Sequence, residues 1–94
     1  MATPSFEEFE SESRQLGYAE VLSRDWEPLT EVPEHTHPFT ARALVIQGDL
    51  WLTVGDSTQH LRAGDRFELE HGTPHSERYG INGATYWVAR RPAD

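Results

Sequence analysis

The spacing of apolar positions along the chain changes once, between Gly17 and Tyr18. Before that point, in "TPSFEEFESESRQLG", Phe6, Phe9, Ser13 and Leu16 fall near one face at helical spacing. Ser5 followed three residues later by Glu8 forms a capping-box signature, and Gly17 supplies a stop. The pattern predicts a short acidic helix, exposed on one side, lying as a solvated arm on the body of the domain. From Tyr18 onward the helical period is gone. "YAEVLSRDW" alternates, and short β-branched and aromatic runs follow: "ARALVIQ", "LWLTV", "RFELE" and "TYWVARR". Between them stand the turn signals Gly48-Asp49, Gly55-Asp56, Ala63-Gly64-Asp65, His71-Gly72-Thr73-Pro74 and Asn82-Gly83. Strands at intervals of about ten residues with no intervening helix predict an all-β sandwich or barrel. The expected organisation is a helical arm over residues 1–17 and one β-barrel over residues 18–94.

Composition narrows what such a barrel can do. A chain of 94 residues makes one small core, so a site lies inside that core or at a subunit interface. With 36% hydrophobic residues the chain can fold, and a dimer interface would add stability. Sixteen acids stand against eight bases, all of them arginine, for a formal charge of −8. No basic stripe is present, which argues against nucleic acid as a partner. The lack of lysine excludes Schiff-base chemistry. Without cysteine there are no disulfides, thiolate nucleophiles or thiolate ligands, so a metal would have to be held by histidine and carboxylate. Neither a signal-like start nor an apolar run of about 20 residues occurs, and the expected location is cytoplasmic, with no membrane partner.

Five histidines then carry the candidate chemistry. In "VPEHTHPF", His35 and His37 are two residues apart, so in an extended segment both rings project from one face, about 7 Å apart along the strand. His75, in "GTPHSER", follows a proline-containing turn on a later strand and is the best third ligand. His60 and His71 lie by or in turns, where solvation explains them. Three imidazoles with an open position suit one divalent transition metal, with Zn, Fe, Mn, Ni and Cu all compatible.

At these positions the chain resembles the cupin family. The family's first motif runs Gly, five residues, His-x-His, three or four residues, Glu, six residues, Gly. His35, His37 and Gly48 fall in register with it, while Leu29 takes the first Gly position and Ala41 the Glu position. Its second motif runs Gly, five residues, Pro-x-Gly, two residues, His, three residues, Asn. Here Gly64, Gly72 and His75 match, with Glu70 in the Pro position and Tyr79 in the Asn position. The resemblance implies a small jelly-roll barrel with one metal inside, frequently a homodimer. It implies far less about activity, since the family spans dioxygenases, isomerases, decarboxylases, sensors and storage proteins.

Alanine at position 41 removes one negative ligand and makes the centre more cationic. Alternation from His75 turns Glu77 and Tyr79 inward. Glu77 is the candidate catalytic residue: it could replace the missing acidic ligand, act as a base, or pair with an arginine near the mouth. Alternation from His37 places Ala41, Ala43, Val45 and Gln47 inside, and Ala41, Gln47 and Tyr79 are the expected substrate pocket. Arg90 and Arg91 read as a solvated basic end. The function expected is that of a metal-binding cupin acting on a small organic molecule, an oxygen-dependent metalloenzyme being one form. The alternative is a non-enzymatic module that senses a small molecule, without an appended helix-turn-helix region.

Overall fold

The computed structural model describes residues 3–92. Helix α1 (Phe6–Gln15) is followed by strands β1 (Glu20–Trp26), β2 (Glu31–His35), β3 (Phe39–Val54), β4 (Ser57–Arg62), β5 (Arg66–Leu69) and β6 (His75–Pro92). The capping box closes as its sequence indicates: Glu8 N–H donates to Ser5 Oγ at 3.1 Å, and Ser5 N–H to Glu8 Oε1 at 2.8 Å. The helix docks through Phe9 and Ser13, which are buried, while Leu16 lies beyond its last turn and is exposed. Phe9 packs with Tyr18, Leu44 and Ala89, Phe6 meets the edge of Trp87, and Arg42 donates to Ser13 Oγ at 2.9 Å. Burying a side chain such as Phe9 contributes about 1.5–3 kcal/mol.

All pairings are antiparallel, and two long strands form the spine. The first half of β3 pairs with β5 and with the second half of β6, which in turn pairs with β1. Beyond the bend, the second half of β3 pairs with β4 and with the first half of β6, which pairs with β2. The result is two layers, β1-β6-β3-β5 and β2-β6-β3-β4, joined by strands that pass from one to the other: an all-β barrel of jelly-roll type with one short helix. Between the layers lie Ala41, Ala43, Val45, Leu50, Leu52, Leu61, Leu69, Tyr79, Ala84, Tyr86 and Val88, which form the main core.

Two expected turns are not turns. Gly48-Asp49 lies inside β3 and Asn82-Gly83 inside β6. Both glycines have positive φ, +75° and +67°, and pairing slips between Val45 and Gln47 and again between Gly48 and Leu50. Glycine here supplies a bend within a paired strand rather than a chain reversal, because closure into a barrel needs long strands to change layers. Gly55-Asp56 does form the hairpin, between Val54 and Ser57. His60 is also relocated. It sits within β4, its ring stacked on Trp51 at 4.1 Å and its Nε2 2.6 Å from Asp49 Oδ2, whereas His71 lies in an exposed turn.

Candidate metal centre

Strand pairing and an irregular stretch at Pro33 bring the histidines together. His35 ends β2 opposite His75, the first residue of β6. The ladder is irregular between Val32 and His35, a span containing Pro33, which has no N–H to give. The Pro33 carbonyl instead faces His35 Nδ1 at 2.8 Å, and the Thr73 carbonyl faces His75 Nδ1 at 2.9 Å. A carbonyl only accepts, so both Nδ1 atoms carry a proton, and in the neutral rings Nε2 is the nitrogen that keeps a lone pair. His37 stands in the connection to β3, its ring stacked on Phe39 at 4.7 Å. The His37 carbonyl accepts from Gly72 N–H at 2.8 Å, which ties this connection to the turn before His75.

The donor set fits a metal. One ligating nitrogen from each of His35, His37 and His75 lies within 4.8 Å of the others, and the Nε2 atoms of His35 and His37 are 3.1 Å apart. Two nitrogens each about 2.1 Å from one ion stand about 3.4 Å apart at tetrahedral angles, so side-chain adjustments of about an ångström bring all three onto a single ion. The backbone carbonyls behind His35 and His75 are the outer partners that orient such ligands.

Glu77 faces the same point. Its Oε2 is 3.7 Å from His35 Nε2 and 3.6 Å from His75 Nε2, and the side chain is buried. Its other oxygen, Oε1, accepts from the Tyr79 hydroxyl. Burial first, then the neighbouring Tyr86 and the negative charge of Glu77, push the Tyr79 hydroxyl far above its ordinary pKa, so it remains a donor. Burial and the Glu77 charge raise Tyr86 as well. A cavity of about 100 Å³ opens beside the centre, and Ala41, His35, His37, His75 and Glu77 are among the residues that line it.

Two expected pocket residues lie elsewhere. Gln47 is exposed, because the slip after Val45 ends the alternation that would have turned it inward. Tyr79 is fully buried beneath the cavity, stacked on Trp26 at 4.8 Å and bonded to Glu77, and supports that carboxylate rather than lining the space. In their place the cavity is walled by Arg24, Trp26, Phe39, Phe67, Tyr86 and Arg90, among others. Arg90 therefore belongs to the cavity and not to a solvated basic end. Alternation within β1 groups Arg24 with Trp26, a signal present in the sequence.

Burial, then repulsion by the neighbouring imidazoles, lowers the His37 pKa from 6.5. In the window between 6.5 and that lowered value the unfolded chain binds the proton and the folded one does not, so stability falls as pH falls through it. We expect the urea midpoint of metal-free protein to drop across this window and the drop to be smaller in His37→Gln. An equal drop in the two proteins would assign the acid sensitivity to another group.

A small antiparallel barrel with three convergent imidazoles defines a class of protein. The cupin-domain family model matches residues 24–84, and the chain belongs to that family. Among curated proteins it is similar to an uncharacterised HTH-type transcriptional regulator of Haemophilus influenzae, with 44% identity over 39 residues; the match spans 42% of this chain and 13% of that protein. Among solved structures it is similar to KdgF from Halomonas sp., at TM-score 0.69 and 17% identity over 79% of this chain and 69% of that one. It is also similar to oxalate decarboxylase of Bacillus subtilis, at TM-score 0.71 and 19% identity, over 83% of this chain and 22% of that one. Likeness at these identities concerns the fold.

Proposed function

We propose that this cupin domain holds one divalent transition metal on His35, His37 and His75 and acts as an enzyme on a small organic molecule, with Glu77 as its proton acceptor. The observation that carries the reading is the convergence of three imidazole nitrogens and the Glu77 carboxylate on the wall of a cavity of about 100 Å³. A bound metal supplies Lewis-acid polarisation of a substrate oxygen and, where it is iron, manganese or copper, a redox partner for dioxygen. The chain's own part is positioning and proton transfer. Tyr79 fixes Oε1 of Glu77, which leaves Oε2 as the oxygen that faces the cavity and takes a proton. Phe39, Phe67 and Val88 present apolar walls that limit access of water.

Glu77→Gln tests the assignment, since the amide oxygen still accepts from Tyr79 while the charge is lost. Turnover should fall by about 100-fold or more, and metal affinity by about tenfold. Unchanged turnover and affinity would place Glu77 outside the chemistry. A sensing role is the second reading, favoured by the 44% identity to part of a transcriptional regulator; saturable ligand binding with no product in metal-loaded protein would select it. We extend the proposal to a cytoplasmic homodimer with no nucleic-acid or membrane partner. Leu29 and Ile81, both well exposed and drawn together by the Leu29 N–H bond to the Gly80 carbonyl, are apolar surface that a second copy would cover. A monomeric mass by light scattering would remove the dimer from the proposal.

A further inference from the structure

The cavity has two unlike walls. The β2-β6-β3-β4 layer and the His37 connection supply three imidazoles and Glu77, whose charge is already tied to Tyr79. Opposite, on paired strands of the other layer, Arg24 of β1 and Arg90 of β6 line the same space. In a chain of formal charge −8, the fold thus faces two arginines against one carboxylate across this cavity.

Neither arginine is neutralised from inside. Among the described residues Arg24 has no carboxylate within ion-pair distance, and its guanidinium lies over the Trp26 ring at 5.0 Å. Among the same residues the one carboxylate that Arg90 reaches is the exposed Glu20, at 3.3 Å through Nη1, and its guanidinium lies over the Phe39 ring at 4.8 Å. Phe39 in turn stacks on His37, so a single aromatic ring separates this guanidinium from the histidine centre. Among the described residues the Arg90 Nε is buried with no hydrogen-bond partner, and Arg90 lines the cavity. Buried donors of this kind normally have acceptors. Leaving a guanidinium N–H unmet is more costly than leaving a neutral one.

We propose that the cavity takes a short aliphatic carboxylate, with its carboxylate group received by Arg90, assisted by Arg24, and its other end directed at the His35, His37 and His75 centre. The inference rests on the proposed metal site for that second contact and on the arginine wall alone for the first. An anion satisfies the planar fork of arginine, whereas a neutral amide or alcohol would not match its charge. Size sets the rest: about 100 Å³ is somewhat less than the roughly 150 Å³ of a cavity that takes benzene, room for a carboxylate and roughly one or two further groups.

Isothermal titration of the whole chain with sodium glycolate, in zinc-loaded and in metal-free form at fixed ionic strength, tests this. Glycolamide serves as the uncharged control. Glycolate should bind the zinc-loaded protein at least about tenfold more tightly than glycolamide, and Arg90→Met should remove about tenfold or more of its affinity with the zinc affinity unchanged. Methionine keeps an unbranched stem against Phe39. Should that variant unfold, Arg90→Lys, which keeps the charge and loses Nε, should still show a loss of several-fold. The exposed Arg62→Met should match the parent. Unaltered glycolate affinity in folded Arg90→Met or Arg90→Lys, or glycolamide bound as well as glycolate, would overturn the proposal while leaving zinc binding intact. Failure of the parent to bind zinc, with glycolate still captured by the metal-free form in an Arg90-dependent way, would overturn the metal reading and leave the arginine site standing. Absence of both kinds of binding would end both.

Discussion

His75→Ala should weaken the binding of zinc or another divalent transition metal by at least about 100-fold. Removing a group that merely orients a ligand costs 10- to 100-fold, and the ligand itself should matter more. His75 is 2% exposed and its Nδ1 is fixed by the Thr73 carbonyl, so its Nε2 is held in place for the metal, and the Glu77 carboxylate 3.6 Å away is the one neighbour on hand to offset its loss in part. His35→Ala and His37→Ala should lose metal in the same direction. His60→Ala should retain it, because His60 is spent on Asp49 and Trp51, and so should His71→Ala in its exposed turn. Competition with a chromophoric chelator and elemental analysis of untagged protein read the affinities. A thermal shift reads them independently: metal at about 100 times its dissociation constant stabilises by about 2.7 kcal/mol, roughly 10 °C or more in a domain of this size. Equal retention of metal in all five variants would make the cluster a packing of imidazoles and nothing more.

The residues that were legible in the sequence are those whose position depends on local spacing. Ser5 and Glu8 cap the helix, His35 and His37 share a segment two residues apart, and Glu77 lies inward with His75 because only one residue separates them on an unbroken stretch of strand. What was not legible depends on events between distant residues. In β6 the inward positions run 75, 77 and 79 before the bend and 84, 86, 88 and 90 after it, so alternation counted from His75 assigns Arg90 to the wrong face. β3 inverts in the same way, from Ala41, Ala43 and Val45 to Leu50 and Leu52, which is why Gln47 is exposed. A glycine beside Asp or Asn looks alike in a hairpin and in a bent strand. Pairing with β6, more than thirty residues away for Gly48 and Ala84, decides which it becomes.

Those two bends are where the fold should be least forgiving. Gly48→Ala and Gly83→Ala should each destabilise the domain by about 4 kcal/mol or more, a loss seen only for severe core or backbone lesions. At Gly48, φ is +75° and an added Cβ would overlap the Gly83 carbonyl oxygen and stand 2.9 Å from Ala84 Cα. At Gly83, φ is +67° and the Cβ would overlap the Trp26 carbonyl oxygen and stand 3.1 Å from Pro28 N. The obstructing atoms are backbone in both cases, so no rotamer change relieves them. The left-handed backbone alone accounts for about 1–2 kcal/mol of each effect. Gly64→Ala isolates that share, since its φ is +96° and nothing lies within 4 Å of the added carbon. Against the roughly 5–15 kcal/mol of a typical domain, the Gly48 and Gly83 variants should show much lower urea midpoints or fail to fold, while Gly64→Ala remains folded. The Gly83 contact also reaches the site. Its neighbour Trp26 lines the cavity and stacks on Tyr79, which holds Glu77. Variants rescued by saturating metal should therefore still show altered Trp26 fluorescence. Similar modest losses at Gly48, Gly83 and Gly64 would mean that the two layers can separate at the bends, and that the cavity between them is not held by close backbone contact.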